Sequence, residues 1–182
     1  MDPRECFLAW TEFIQPDAVE RLAYHFYNSD LNAPTVREKA MTYLGEAGHR
    51  AKRDYANETA LAFYDRALGL EERWEWMQGK IELLHLLGQR QEELETLDYA
   101  EYAQVGPKIE LGLMRGNYHE AISEYEEALS TVRLTLHQAE EIGNVRLRLQ
   151  CLARLGMIEW RQGNYDEAEN DFRSGLELVG AS

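Results

Sequence analysis

A chain of 182 residues is long enough for one ordinary domain or one short repeat array, without a disulfide scaffold. Hydrophobic residues make up 45% and charged residues 29%, a composition that excludes a disordered chain and a membrane-embedded one. The 19 Lys and Arg residues are outnumbered by 33 Asp and Glu residues. The resulting net charge of -14 disfavours nucleic acids and anionic membranes as partners.

The hydrophobic pattern predicts an all-α chain. Apolar residues recur at helical spacing, as in Met77, Ile81, Leu84 and Leu87, and the sequence has no long alternation of β-branched residues. Helices are expected near residues 4–14, 17–29, 35–54, 57–70, 71–87, 90–104, 107–115, 118–142, 144–162 and 165–179.

The sequence also predicts a compartment. Cys6 and Cys151 lie far apart without a CxxC spacing, which is typical of reduced, buried thiols. Residues 1–15 lack the pattern of a secretion signal, and no apolar stretch approaches the length of a membrane span. A cytoplasmic protein is therefore expected.

An internal repeat organises the chain. The segment from Gly116 to Ala121 reads GNYHEA, and the segment from Gly163 to Ala168 reads GNYDEA. Each glycine is predicted to end one helix in a left-handed conformation, so that the next helix begins just after it. Such helical hairpins bury their apolar faces only by stacking on one another, which predicts a solenoid.

The repeated residues resemble a known family. The run that contains Leu155, Trp160, Gly163 to Ala168 and Phe172 is similar to a tetratricopeptide repeat, whose period is about 34 residues. Residues 20–70 resemble more narrowly the tetratricopeptide segment of large bacterial signalling ATPases, which are often linked to nucleotide cyclases or transcription regulators. The resemblance implies a right-handed α-α superhelix over residues 1–182, with hairpins at about 17–54, 35–70, 71–104, 107–142 and 144–179.

The predicted array departs from a regular one. Residues at the expected alanine position fall at 40, 60, 93, 121 and 168, so that the spacings are 20, 33, 28 and 47. The chain has no P-loop, cyclase or helix-turn-helix signature, so the catalytic activities of the resembled proteins are not expected here. We expect a non-enzymatic interaction scaffold without a cofactor.

The resemblance also implies where a partner binds. Tetratricopeptide arrays bind peptides or proteins along a concave groove that is lined by the first helix of each hairpin. The corresponding residues of this chain are His49, Lys52, Arg53, Glu75, Gln78, Glu82, His85, Met157, Trp160 and Arg161. Ordinary solvated surface is an equally good interpretation of these polar residues.

Two alternatives to an interaction scaffold stay open at this point. A metal-dependent helical enzyme would use two Glu-x-x-His motifs, Glu46 with His49 and Glu82 with His85, because di-metal helical bundles use this motif twice, although chance alone explains both motifs here. A sensor of a peptide or small molecule would share the repeat fold. The partner is expected to be a protein, a peptide or another domain of a longer chain, and apolar Phe172, Leu176 or Leu178 favour a homodimer through the C-terminal hairpin.

Overall fold

The computed structural model describes residues 17–180, so the helix expected at 4–14 lies outside the described residues. The described chain is helical, and the prediction of an all-α repeat fold is confirmed within it. Its helices are α1 Asp17–Tyr27, α2 Pro34–Arg53, α3 Asn57–Leu68, α4 Trp74–Leu87, α5 Arg90–Tyr102, α6 Lys108–Ala121, α7 Tyr125–Glu141, α8 Val145–Gln162 and α9 Tyr165–Gly180.

The helices form two compact units, which divide between Gly88 and Gln89. In unit 1, which contains α1 to α4, each helix packs against the next one along the chain, and α2 also contacts α4. In unit 2, which contains α5 to α9, each helix again packs against the next, and α6 contacts α8. Helices that are adjacent in sequence are therefore adjacent in space within each unit, as in a stack of hairpins.

Tyr64 organises the core of unit 1. Its ring is fully buried between α2 and α4, and each of these helices approaches the ring closely because it presents a glycine there. A Cβ atom on Gly48 of α2 would lie 2.7 Å from Cε1 of Tyr64, and one on Gly79 of α4 would lie 2.7 Å from Cζ. Contacts this short do not occur in packed proteins, so these two positions require glycine.

Unit 2 repeats this close approach twice. Gly116 of α6 packs against Val132 of α7, and Gly156 of α8 packs against Phe172 of α9. In both pairs the large residue follows the glycine by 16 positions, which is also the spacing from Gly48 to Tyr64 in unit 1. The shared spacing fixes the register between the first and the second helix of each hairpin.

The structure corrects the prediction for residues 107–142. Helix α6 does not end near 115 but continues to Ala121, and α7 begins at Tyr125 instead of 118. Gly116 is buried in the middle of α6, where it allows α7 to approach, and the turn is made by Ser123 with a φ of 65°. The similarity of GNYHEA to GNYDEA therefore reflects two different structural roles of the same residues.

The corrected register makes the array more regular than expected. Left-handed residues at Tyr55, Gly88, Ser123 and Gly163 each stand five positions before the alanine position of the repeat. That position is therefore residue 60, 93, 128 or 168, and the spacings are 33, 35 and 40. The buried residue at position 93 is Glu93, which accepts a hydrogen bond from Arg90 at 2.5 Å.

Candidate binding surfaces

The shared register identifies equivalent residues on the first helices of the hairpins. His49, Asn117 and Met157 each follow the hairpin glycine directly. Three residues further along, and thus on the same helix face, lie Lys52, Glu120 and Trp160. We define the unit 1 surface as His49, Lys52, Glu75, Gln78, Glu82 and His85, and the unit 2 surface as Asn117, Glu120, Met157, Trp160 and Arg161.

Polar side chains of α2 and α4 meet in the unit 1 surface. Lys52 of α2 forms an ion pair with Glu82 of α4, and the Gln78 amide donates a hydrogen bond of 3.0 Å to the same carboxylate. Arg53, which was also expected in the groove, is exposed at the end of α2. The structure thus brings Lys52, Gln78 and Glu82 into contact, as expected of residues that line one surface.

His49 links this surface to the core of unit 1. Its Nδ1 atom lies 2.8 Å from the Tyr64 hydroxyl, within hydrogen-bond distance. Partial burial lowers the pKa of His49, and nearby Lys52 adds to this effect, whereas Glu75 opposes it. Burial raises the pKa of Tyr64 to about 12, and the negative charges of Glu82 and Glu75 act in the same direction. The pair is therefore neutral around pH 7.

The geometry gives no support to the metal hypothesis. Among the residues that the structure describes, no group of three or more His, Cys, Asp or Glu side chains is arranged to hold a metal ion. Of the four residues in the two Glu-x-x-His motifs, His49 contacts Tyr64 and Glu82 pairs with Lys52. Glu46 is exposed on α2, and partial burial of its carboxyl group raises its pKa.

A buried carboxylate connects α6 and α8 in the unit 2 surface. The side chain of Glu120 is 3% exposed, and it accepts hydrogen bonds from Arg154 at 3.0 Å and from Arg161 at 2.5 Å. Both arginines belong to α8 and remain partly exposed. Arg161, which was predicted to contact a partner, is therefore already engaged by its own chain.

Two apolar side chains of the same surface are exposed. Met157 is 39% exposed and Trp160 is 55% exposed. On the equivalent face of α6, the Oδ1 atom of Asn117 is buried and has no hydrogen-bond partner. Methionine and aromatic side chains are enriched at protein interfaces, and Met157 and Trp160 share one face of α8.

The sequence missed Asn117 and Glu120 for one reason, and it missed Arg154 because the partner of Arg154 is Glu120. Because α6 was expected to end near residue 115, Asn117 and Glu120 were assigned to a turn and to the following helix. A better signal was present in the sequence: SEYEEA, from Ser123 to Ala128, matches GNYDEA from Gly163 to Ala168 at the tyrosine, the acidic pair and the alanine.

The remaining candidate for reactivity is Cys151 of α8. Its thiol is buried and free, and burial raises its pKa to about 11. A thiol in this state is a poor nucleophile at neutral pH, so Cys151 contributes to packing. Cys6 lies outside the described residues.

Comparisons with known proteins agree with this architecture. Residues 148–179, which cover most of α8 and α9, match the tetratricopeptide repeat family. The whole fold is similar to MamA 41-end from Desulfovibrio magneticus RS-1, with a TM-score of 0.62 and 14% identity over 91% of this chain and 97% of that one. The ArsTM double mutant of MamA RS-1 gives a TM-score of 0.61 and 14% identity over 91% and 95%.

This chain therefore has a helical repeat fold of the tetratricopeptide type. Among curated protein sequences, no relative matches this chain. Within residues 17–180, no helix is both long and apolar enough to cross a lipid bilayer.

Proposed function

We propose that this chain is a non-enzymatic interaction module that binds a protein or peptide on the faces of its first helices. The observation that carries the proposal is the unit 2 surface, where Trp160 and Met157 are exposed on the same face of α8. A peptide would cover the two apolar side chains, which are of the types enriched at interfaces. The unit 1 surface, with its ion pair between Lys52 and Glu82, is a separate and more polar candidate region.

We further propose a regulatory role in a bacterial signalling protein, in the cytoplasm. The resemblance of residues 20–70 to the repeat segments of signalling ATPases supports this role, and the free, buried thiol of Cys151 suits a reducing compartment. In that context the partner is another domain of the same protein or a separate protein. The native reading frame tests this context, because a frame that continues into an ATPase, cyclase or DNA-binding domain supports it.

The binding role is tested by selecting peptides from a displayed library against the full chain. We expect the selected peptides to bind Trp160→Ala at least about tenfold more weakly, because a buried aromatic anchor contributes more than 1 kcal/mol to most interfaces. Arg161 is left intact, since removing it would expose the buried Glu120 to solvent or leave it with one partner.

The matched control is Leu134→Ala, which truncates an exposed side chain of α7 outside both surfaces. Isothermal titration calorimetry on the two variants should separate them clearly. Equal affinities for Trp160→Ala and the unaltered chain would refute the unit 2 surface as the binding site, and a library that yields no binding peptide would refute peptide recognition.

A further inference from the structure

Two arginines of α8 share one buried carboxylate of α6. Arg154 donates a hydrogen bond to Oε2 of Glu120 and Arg161 donates one to Oε1, so each carboxylate oxygen holds one guanidinium group. The two cations therefore lie next to each other, although they are seven positions apart in the sequence. We call Arg154 and Arg161 the arginine pair.

The arginine pair carries more positive charge than Glu120 neutralises. Two guanidinium groups face a single carboxylate, and within residues 17–180 this carboxylate is the ion-pair partner of both. One unit of positive charge therefore remains at this point of a chain whose net charge is -14. Because the two neighbouring cations repel each other, a second anion at the arginine pair would stabilise the arrangement.

The burial of a carboxylate does not by itself require two arginines. Glu159 of α8 is buried as deeply as Glu120, since the side chain of each is 3% exposed. Glu159 accepts hydrogen bonds from Arg133 of α7 and from the neutral side-chain amide of Asn164. One cation and one amide are thus sufficient for a buried carboxylate in this unit, and the second arginine at Glu120 is an excess.

The arginine pair keeps donors that a ligand can engage. A guanidinium group has five N–H donors in one plane, and the hydrogen bond to Glu120 engages one nitrogen of each arginine. The side chains of Arg154 and Arg161 are 34% and 48% exposed, so they remain accessible from solvent. Planar guanidinium groups match the geometry of carboxylates. The arginine pair is therefore positioned in advance for a carboxylate.

The arginine pair adjoins the exposed apolar residues of the unit 2 surface. Met157 lies three positions after Arg154 and four positions before Arg161, so these three side chains share one face of α8. Trp160 directly precedes Arg161. A partner that covers Met157 and Trp160 therefore also passes the arginine pair.

We propose that the arginine pair determines the specificity of the unit 2 surface by binding a side-chain carboxylate of the partner, from Asp or Glu, next to the apolar residue that covers Met157 and Trp160. This inference rests on the proposed binding function and names the chemistry of the partner. Because the net charge of -14 repels a strongly acidic segment, the carboxylate belongs to a segment that is otherwise neutral or basic.

Peptides selected against the full chain test this inference without any variant of the chain. In each peptide, the Asp and Glu residues are replaced one at a time by Asn and Gln. All peptides have an amidated C-terminus, so that a terminal carboxylate does not contribute. We expect one replacement to weaken binding at least about tenfold, because it removes a charge-assisted contact with the arginine pair. Isothermal titration calorimetry measures the affinities.

A variant of the chain assigns the effect to the arginine pair. In Arg154→Gln, the same peptide replacement should weaken binding less than about threefold, because Glu120 then neutralises the remaining arginine. The matched control is Arg133→Gln, which removes the same charge and also takes an arginine from a buried carboxylate, but lies on α7 outside the unit 2 surface. In this control the tenfold difference should persist. Circular dichroism verifies that both variants fold.

The inference and the binding function fail in different ways. Selected peptides that contain no Asp or Glu, or that bind equally well after every replacement, would overturn the inference, as would equal behaviour of Arg154→Gln and Arg133→Gln. If Trp160→Ala still weakens binding in these cases, the inference alone is wrong. If Trp160→Ala has no effect, or no peptide is selected, the proposed binding site is wrong and the inference is overturned with it.

Discussion

At the scale of single residues, the contact between His49 and Tyr64 connects a candidate binding surface to the core. The Tyr64 ring is held between Gly48 and Gly79, so its hydroxyl has little freedom to move away from the imidazole. Partial burial lowers the pKa of His49, which means that the folded state binds a proton at this site less tightly than the unfolded state, where the ordinary value is 6.5.

The lowered pKa of His49 predicts a pH-dependent stability. The contribution of His49 to the free energy of unfolding is fully present above about pH 6.5, and it decreases as the pH falls through the lowered pKa of the folded state. We therefore expect the chain to lose more stability between about pH 7.5 and about pH 5.5 than the variant His49→Gln, whose side chain does not titrate. Urea unfolding at the two pH values measures the difference.

Other groups with altered pKa values do not obscure this comparison. Burial raises the pKa of Glu46 and of Asp171, so these carboxyl groups change stability in the opposite direction as the pH falls. Their contribution is the same in both proteins and cancels in the difference. Parallel pH profiles for the two proteins would show that His49 is not perturbed.

At the scale of helices, Glu120 holds α6 and α8 together through two arginines of unequal exposure to solvent. Its side chain is 3% exposed, whereas those of Arg154 and Arg161 are 34% and 48% exposed. The loss of stability on breaking this network should therefore depend on whether the arginines or the carboxylate are replaced. A partly exposed guanidinium can be hydrated again, but a buried carboxylate without a partner cannot.

We predict that replacing both Arg154 and Arg161 by Met destabilises the chain by about 3–5 kcal/mol, because Glu120 is left buried and unpaired. Glu120→Gln should cost only about 1 kcal/mol, since the amide still accepts one hydrogen bond and removes the buried charge. Urea unfolding monitored by circular dichroism at neutral pH gives both values. The reverse order would mean that Glu120 is hydrated in solution.

The helices also show what could be predicted from the sequence and what could not. Hydrophobic periodicity located the described helices because amphipathic packing leaves a clear pattern, and Gly163 was correctly assigned to a left-handed turn. The assignment of Gly116 to a turn was wrong, because a glycine can either form a turn or allow two helices to approach closely. Only the packing of Val132 against it distinguishes the two roles.

The residues of the candidate binding surfaces could likewise be predicted only in part. Met157 and Trp160 were predicted to line the groove, and both are exposed on α8, while their contact with a partner stays a prediction. The engagement of Arg161 could not be predicted, because it depends on Glu120, 41 positions earlier on a helix with the wrong expected end. Pairings between distant residues depend on the register of the hairpins, and one misplaced turn shifts every such pairing beyond it.

At the scale of the whole molecule, the net charge of -14 acts on any partner before contact is made. The field of an acidic protein attracts cationic partners over distances comparable to the Debye length, about 10 Å at 0.1 M salt. This long-range attraction changes the rate of association, while the local contacts of the unit 2 surface determine the rate of dissociation.

We therefore predict that salt changes the association rate constant of a bound peptide, whereas the substitution Trp160→Ala changes its dissociation rate constant. Among selected peptides that share the same apolar residues, those with several Lys or Arg residues should associate about tenfold more slowly when the ionic strength is raised from low to physiological values. Their dissociation rates should change little with salt, but should rise in Trp160→Ala. Stopped-flow fluorescence with labelled peptides measures both constants, and a preference for acidic peptides would show that local arginines outweigh the field of the molecule.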